Sequence, residues 1–251
     1  MKGSNDMDII IGRNPVLEAL KSERDINKIW IAEGSQRGAM QQIIQLAKQN
    51  GVLVQYVPKK KIDQMAEGNH QGVIAQVAAY KYYEVTELFK RAAEKSEPPF
   101  FLILDELEDP HNLGSIMRTA DAVGAHGIII PKRRSVGLTA TVAKASTGAI
   151  EHIPVARVTN LARTIEELKK QGVWIVGTDT KGSDDYRSLD GTMPIALVIG
   201  SEGKGIGRLI LEKCDFLVRL PMKGKVTSLN ASVAASLLMY EVYRKRYPLG
   251  E

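Results

Sequence analysis

Beyond residue 100 the apolar residues come in short stretches, at 100–107, 127–130, 153–158, 173–178, 195–199 and 216–220, whose only charged members are Asp105, Glu106, Arg157 and Arg219. Continuous runs of that length, without polar alternation, predict strands covered on both faces, as in a parallel sheet. Between them apolar positions recur at helical spacing over 113–123, 139–147, 161–171 and 206–213, and a longer periodic stretch at 229–247 predicts a closing helix. Strands and helices in alternation specify an α/β fold, a parallel sheet flanked by helices. The first part of the chain is smaller in scale. Strands are expected at 28–32, 52–57 and 73–79, and helices at 36–50, stopped by Gly51, and at 59–67. Asn14 followed by Pro15 reads as an N-cap and first helical residue, opening a helix that runs to Leu20. The polar stretch ending in Glu97-Pro98-Pro99 breaks the pattern. The expected organisation is therefore a domain at 1–80, a linker at 81–99 and a domain at 100–251.

Composition narrows the class. With 44% hydrophobic and 25% charged residues in 251, the chain is neither collagen-like, coiled-coil nor disordered. No apolar run approaches the roughly 18 residues of a membrane span, and the polar start at 1–8 lacks a signal-peptide core. A single cysteine, Cys214, excludes an intrachain disulfide and fits a reducing, cytoplasmic setting. Four scattered histidines, His70, His111, His126 and His152, offer no metal-ligand spacing, so no metal is expected. The net charge of +5 is spread evenly, with short basic clusters at 59–61, 132–134 and 244–246. It is compatible with a polyanionic partner without demanding one.

Ligands of such sheets bind beyond the carboxyl ends of the strands, which draws attention to three loops. The first is Ile199-Gly200-Ser201-Glu202-Gly203-Lys204-Gly205-Ile206-Gly207. A phosphate-binding P-loop fails here because Gly205, not Ser or Thr, follows Lys204. A dinucleotide fingerprint from Gly203 fails at Arg208, and an acidic Glu-x-Gly-x-Gly loop from Glu202 fails at Lys204. What remains is a tight loop whose glycines allow close backbone approach, with Glu202 at its apex; a purely structural turn reads equally well. The second loop opens the helix at 113–123, with Asn112 at the N-cap position. Arg118 follows among small and apolar residues, where it either extends to solvent or serves a buried anion. The third runs from Leu220 and Met222 to Ser228, Leu229 and Asn230, with Ser228 as N-cap of the closing helix and Asn230 in its first turn.

Taken together and in order, Asn112-x5-Arg118, Gly200-Ser201-Glu202-Gly203 and Pro221-Met222-x-Gly224-x-Val226-x-Ser228-Leu229-Asn230 resemble the three signature motifs of SpoU-type RNA 2′-O-ribose methyltransferases, of the SPOUT superfamily. The likeness spans 100–247, and it is greatest for the bacterial 23S rRNA guanosine-2′-O-methyltransferase branch. Residues 8–79, with Arg13-Asn14 and His70-Gln71, resemble that family's L30e-like substrate-binding domain.

The resemblance implies a deep trefoil knot near the carboxyl end, a homodimer joined through the terminal helix, and S-adenosylmethionine as cofactor. It assigns Thr178, Gly200, Leu220, Met222, Ser228 and Leu229 to cofactor binding, and Arg13, Asn14, His70 and Gln71 to RNA. Arg118, Asn112, Glu202, Ser228 and Asn230 become the catalytic set. Arg118 is then either a base or a cation that steadies an alkoxide, and guanidinium chemistry favours the second. Other readings are a tRNA-directed ribose methyltransferase, many of which are shorter chains, and a non-catalytic RNA-binding relative, which would have lost Arg118 or the Ser228/Asn230 pair.

Overall fold

A computed structural model describes residues 9–22, 24–35, 38–179, 182 and 184–250. The polar start at 1–8, and Gln36 and Arg37 of the expected second helix, lie outside the described residues. The chain divides into two compact units, one from Met1–Lys81 with Gly137–Thr141, the other from Tyr82–Val136 and Val142–Glu251.

The first unit is a four-stranded mixed sheet with helices. In chain order it holds β1 (Ile9–Ile11), α1 (Arg13–Lys21), β2 (Ile26–Ala32), α2 (Ala39–Gln49), β3 (Val54–Val57), α3 (Lys59–Met65) and β4 (Val73–Val77), with strand order β1-β4-β2-β3. Strand β1 was not expected. Three isoleucines are too short a run to declare themselves, and they gain order by antiparallel pairing with β4, Ile9 opposite Gln76. Helix α1 starts before the expected cap. Gly12 at φ 93° is its N-cap, so Asn14 and Pro15 lie inside the first turn, where proline's missing N–H costs no hydrogen bond. Val16, Ile29, Ile31, Met40, Ile43 and Val73 form the core on one side of this sheet.

The second unit begins with α4 (Val85–Glu94), inside the stretch expected to be a linker. Its charged residues mask apolar spacing at Val85, Leu88, Phe89 and Ala92, and a reciprocal Glu84–Glu87 capping box starts it. Leu88 is fully buried in the main core, and the Phe89 ring meets Phe101 edge-on at 5.0 Å. Then follow β5 (Phe100–Leu104), α5 (Pro110–Ala122), β6 (Gly127–Pro131), α6 (Ala140–Ser146), β7 (Val155–Val158), α7 (Leu161–Lys170), β8 (Trp174–Thr178), β9 (Asp184–Asp185), β10 (Ile195–Ile199), α8 (Arg208–Leu211), β11 (Phe216–Arg219) and α9 (Ala231–Arg246).

These strands form one seven-stranded sheet in the order β7-β6-β5-β10-β8-β11-β9, parallel at every pairing. The expectation of a parallel α/β sheet is met. Every residue of β5 and β10 is buried, which is why both read as unbroken apolar runs. At the far end of α9, Arg246 donates to the carbonyls of Gly191, Pro98 and Met193 and lies over the Phe100 ring. Beside it, buried His126 accepts from Phe100 N–H and donates to Glu97, and burial lowers its pKa. Among the described residues no helix is long and apolar enough to cross a membrane, and no group of three His, Cys, Asp or Glu could hold a metal.

Candidate functional site

The loops after β8, β10 and β11 enclose a cavity of about 1260 Å3, beyond the carboxyl ends of the strands. The glycine loop forms its first wall. Ser201 and Gly205 exchange both backbone hydrogen bonds, at 3.1 and 2.9 Å, across a turn in which Gly203 and Gly205 take φ of 80° and 69°. L-residues with side chains rarely adopt that backbone, so glycine is required there. Gly200 is small for another reason. A Cβ at that position would lie 2.1 Å from the carbonyl carbon of Gly205, so the loop's own return strand presses on it. Substitution at Gly200 would therefore displace the loop directly, before any ligand is involved.

Asp105, where β5 ends, fastens this loop from below. Its Oδ2 accepts from Gly207 N–H at 2.7 Å, and burial pushes its carboxyl above the ordinary value. Sequence reading passed over it, although a carboxylate closing an all-apolar strand is a visible signal.

Three motif residues converge at the cavity's edge. Asn112 is buried in the first turn of α5, and its Nδ2 donates to Glu202 Oε1 at 3.0 Å. Asn230 Nδ2 donates to Asn112 Oδ1 at 3.0 Å and to Glu202 Oε1 at 2.5 Å. Each residue comes from a different loop, separated by 90 and 118 positions along the chain. The second carboxylate oxygen, Oε2, has no partner among the described residues and is free to take a ligand hydroxyl.

Both expected helix caps are displaced. Asp109, not Asn112, caps α5, accepting from His111 N–H with Pro110 at the first helical position. Asn230, not Ser228, caps α9, its Oδ1 accepting from Ser232 and Val233 N–H. In each case the residue whose side chain accepts the first free N–H groups is the cap, and the other is released. Asn112 turns to Glu202; Ser228 stays exposed on the loop, lining the cavity.

All six residues expected to bind the cofactor line this cavity: Thr178, Gly200, Leu220, Met222, Ser228 and Leu229. Thr178 Oγ1 donates to Val198 O at 3.4 Å, tying β8 to β10. Of the expected catalytic set, Ser228 lines the cavity without joining the cluster, and Arg118 belongs to neither the cluster nor the cavity lining. It is exposed on α5 with no hydrogen bond or ion pair among the described residues.

A separate cleft of about 590 Å3 lies in the first unit, lined by Arg13, His70, Gln71, Lys59 and Asn69 among others. Asn14, expected beside them, is exposed on α1 and does not line it. Arg13 Nε donates to Gln71 O at 3.2 Å and Arg13 N–H to Gln71 Oε1 at 3.1 Å. His70 is a buried strut. Its Nδ1 accepts from Gly72 N–H at 3.0 Å, leaving Nε2 to donate to Asp63 Oδ1 at 2.8 Å, so both ring nitrogens are committed within the protein.

Comparison with known proteins matches residues 99–240 to the SpoU rRNA Methylase family and 9–83 to a domain described as RNA 2′-O ribose methyltransferase substrate binding. A Bacillus subtilis (strain 168) protein named as a TrmH family tRNA/rRNA methyltransferase, YacO, is 71% identical over 248 residues, covering 99% of this chain and 100% of that one. The SpoU methyltransferase AviRb of Streptomyces viridochromogenes, crystallised with AdoMet, superposes with a TM-score of 0.61 at 25% identity, over 95% of this chain and 90% of that one. An AdoMet-bound rRNA methyltransferase of Sinorhizobium meliloti gives 0.58 at 28% identity, over 95% and 87%.

Proposed function

Because the chain belongs to the SpoU rRNA methylase family, we propose that it methylates the 2′-hydroxyl of a ribose in structured RNA, with a guanosine of 23S rRNA as the target. The observation that carries this reading is the junction of Asn112, Glu202 and Asn230 at the mouth of the large cavity. The methyl donor is S-adenosylmethionine, and the cavity suits it. Ile199, Leu211, Val218, Leu220 and Leu229 give it apolar walls, and loop backbone supplies polar groups, as an adenosyl thioether requires. When bound, this cofactor supplies an activated methyl group on a sulfonium.

The chain's own residues must hold the hydroxyl and assist loss of its proton. Glu202 Oε2 is positioned to accept that hydroxyl's hydrogen bond, while the two asparagine amides fix the carboxylate through Oε1. Arg118 is a poor base, since guanidinium hardly deprotonates, and acts as a cation toward a substrate phosphate or the developing alkoxide. Ser228, exposed at the cavity, offers a further hydroxyl to substrate or cofactor.

Other parts of the reading rest on their own support. The chain leaves β8, forms β9 at the sheet's edge, returns to insert β10 between β5 and β8, and comes out again to place β11 between β8 and β9. That order supports a trefoil-knotted thread. The mixed sheet of the first unit, with the match over 9–83, supports an L30e-like RNA-binding domain using Arg13, Asn14 and Gln71. There His70 holds the loop that presents Gln71. An exposed apolar stripe on α9 supports a homodimer, and an RNA substrate is consistent with a cytoplasmic enzyme.

The test is to incubate the protein with methyl-labelled S-adenosylmethionine and either 23S rRNA or tRNA, then map alkali-resistant linkages. The expected outcome is one resistant linkage, after a guanosine of 23S rRNA. Labelling of tRNA alone would overturn the choice of substrate, and label on a base would overturn the ribose chemistry.

A further inference from the structure

The cleft of the first unit is concave, polar and held in shape from within. Enclosed ligand sites run from about 300 to 1,000 Å3, so a cleft of about 590 Å3 suits one nucleotide rather than a run of them. Arg13 and Lys59 supply two cations against one carboxylate, Asp63, whose Oδ1 is taken by His70, and Asn69 and Gln71 supply two side-chain amides. Gln71 uses Oε1 for Arg13 N–H, which leaves its NH2 for a ligand acceptor. Arg13 uses Nε for Gln71 O, which leaves its terminal nitrogens for an anion. Cations of this kind take phosphate, and amides read the hydrogen-bonding edge of a base. A duplex offers phosphates on a convex surface and keeps its bases paired. Only an unstacked nucleotide, in a bulge or loop, presents a base edge and its phosphate to a concave site.

Resting on the RNA methyltransferase reading, we infer that this cleft holds one unstacked nucleotide of the substrate, its phosphate on Arg13 and Lys59 and its base edge on Asn69 and Gln71. RNA is then chosen partly by a feature read in the amino-terminal unit. Asn69 is exposed and Gln71 is exposed, so neither amide is needed to fill the core.

Fluorescence anisotropy on the full-length protein tests this with five labelled RNA hairpins of identical stem, one perfect and four carrying a single-nucleotide bulge, one for each base. At least one bulged hairpin should bind about tenfold more tightly than the perfect one, a difference of about 1.4 kcal/mol. Asn69→Ala and Gln71→Ala should each bring that preference below about threefold, by loss of one base contact. Lys59→Gln should instead weaken bulged and perfect hairpins alike and lower the salt slope by about one. Equal binding of bulged and perfect hairpins by the unaltered protein overturns the inference, as does a preference that survives both amide substitutions. Calorimetric titration of S-adenosylmethionine on the same samples separates the two levels. Cofactor binding without bulge preference defeats the cleft alone, and absence of cofactor binding defeats the methyltransferase reading.

Discussion

Arg118 carries a charge that no hydrogen bond or ion pair among the described residues offsets, on a helix whose other named polar residues have partners. Thr119 beside it shares a 3.0 Å hydrogen bond with Ser236, and Asn112 is buried against Glu202. An exposed guanidinium without a structural duty can be replaced without unfolding α5, so its substitution reports on chemistry. Arg118→Lys keeps the charge and loses the planar fork, which cannot be copied by a point charge. Removing one well-placed donor to developing negative charge costs about 10²–10³ in rate. Single-turnover methyl transfer by Arg118→Lys and by Arg118→Ala should therefore fall at least about a hundredfold by the same magnitude, with calorimetric cofactor affinity unchanged. A lysine variant within about threefold of the parent, under roughly 1 kcal/mol, would take Arg118 out of the chemistry. The sequence exposed this residue because it interrupts a run of small and apolar neighbours. It could not show that Asn112 and Asn230 meet at one carboxylate, since that contact joins residues 118 positions apart.

At the scale of elements, the beginnings of helices join local structure to the site. Asn230 has two duties. Its Oδ1 caps α9 through Ser232 and Val233 N–H, and its Nδ2 reaches Glu202 and Asn112. The duties can be separated, because serine caps a helix as well as asparagine does but has no amide to donate. Asn230→Ser should melt within a few degrees of the parent while methyl transfer falls about tenfold or more, the worth of one strong hydrogen bond to a charged group. Asn230→Ala should lose the activity and also about 0.5–2 kcal/mol of stability from the missing cap. Full activity in the serine variant would reduce the network to a helix cap. The central strands were legible because both their faces are buried, so no polar residue interrupts them. Helix α4 was not, since Glu87, Lys90, Arg91 and Glu94 dominate its composition and only Leu88 and Ala92 are buried. The caps were misread by two or three residues because several short polar residues precede each helix. Only geometry decides which of them accepts the first N–H groups.

At the scale of the whole molecule, α9 is apolar on two sides. Ala235, Leu238, Met239 and Val242 are fully buried in the second unit, which accounts for one side. On the other, Val233 is 47% exposed, Leu237 41% and Tyr240 52%, spaced along one stripe that continues to Tyr243 and Tyr247. A second apolar stripe on a helix calls for a cover of its own, and among the described residues nothing covers this one. We propose that a second copy supplies it, since a twofold contact sets the same stripe against itself and needs no other partner. The sequence pattern at 229–247 already carried apolar positions for both sides, but nothing in it said which side faced the chain's own sheet. A stable contact of this kind buries about 1,200–2,000 Å2 in total and has no place for an unpaired charge at its centre. Leu237→Glu should therefore convert a dimer to a monomer in light scattering at micromolar concentration. Its circular dichroism should match the parent, since Leu237 contributes little to the fold of its own chain. A parent protein that is already monomeric, or a Leu237→Glu variant that stays dimeric, would put the joining surface elsewhere.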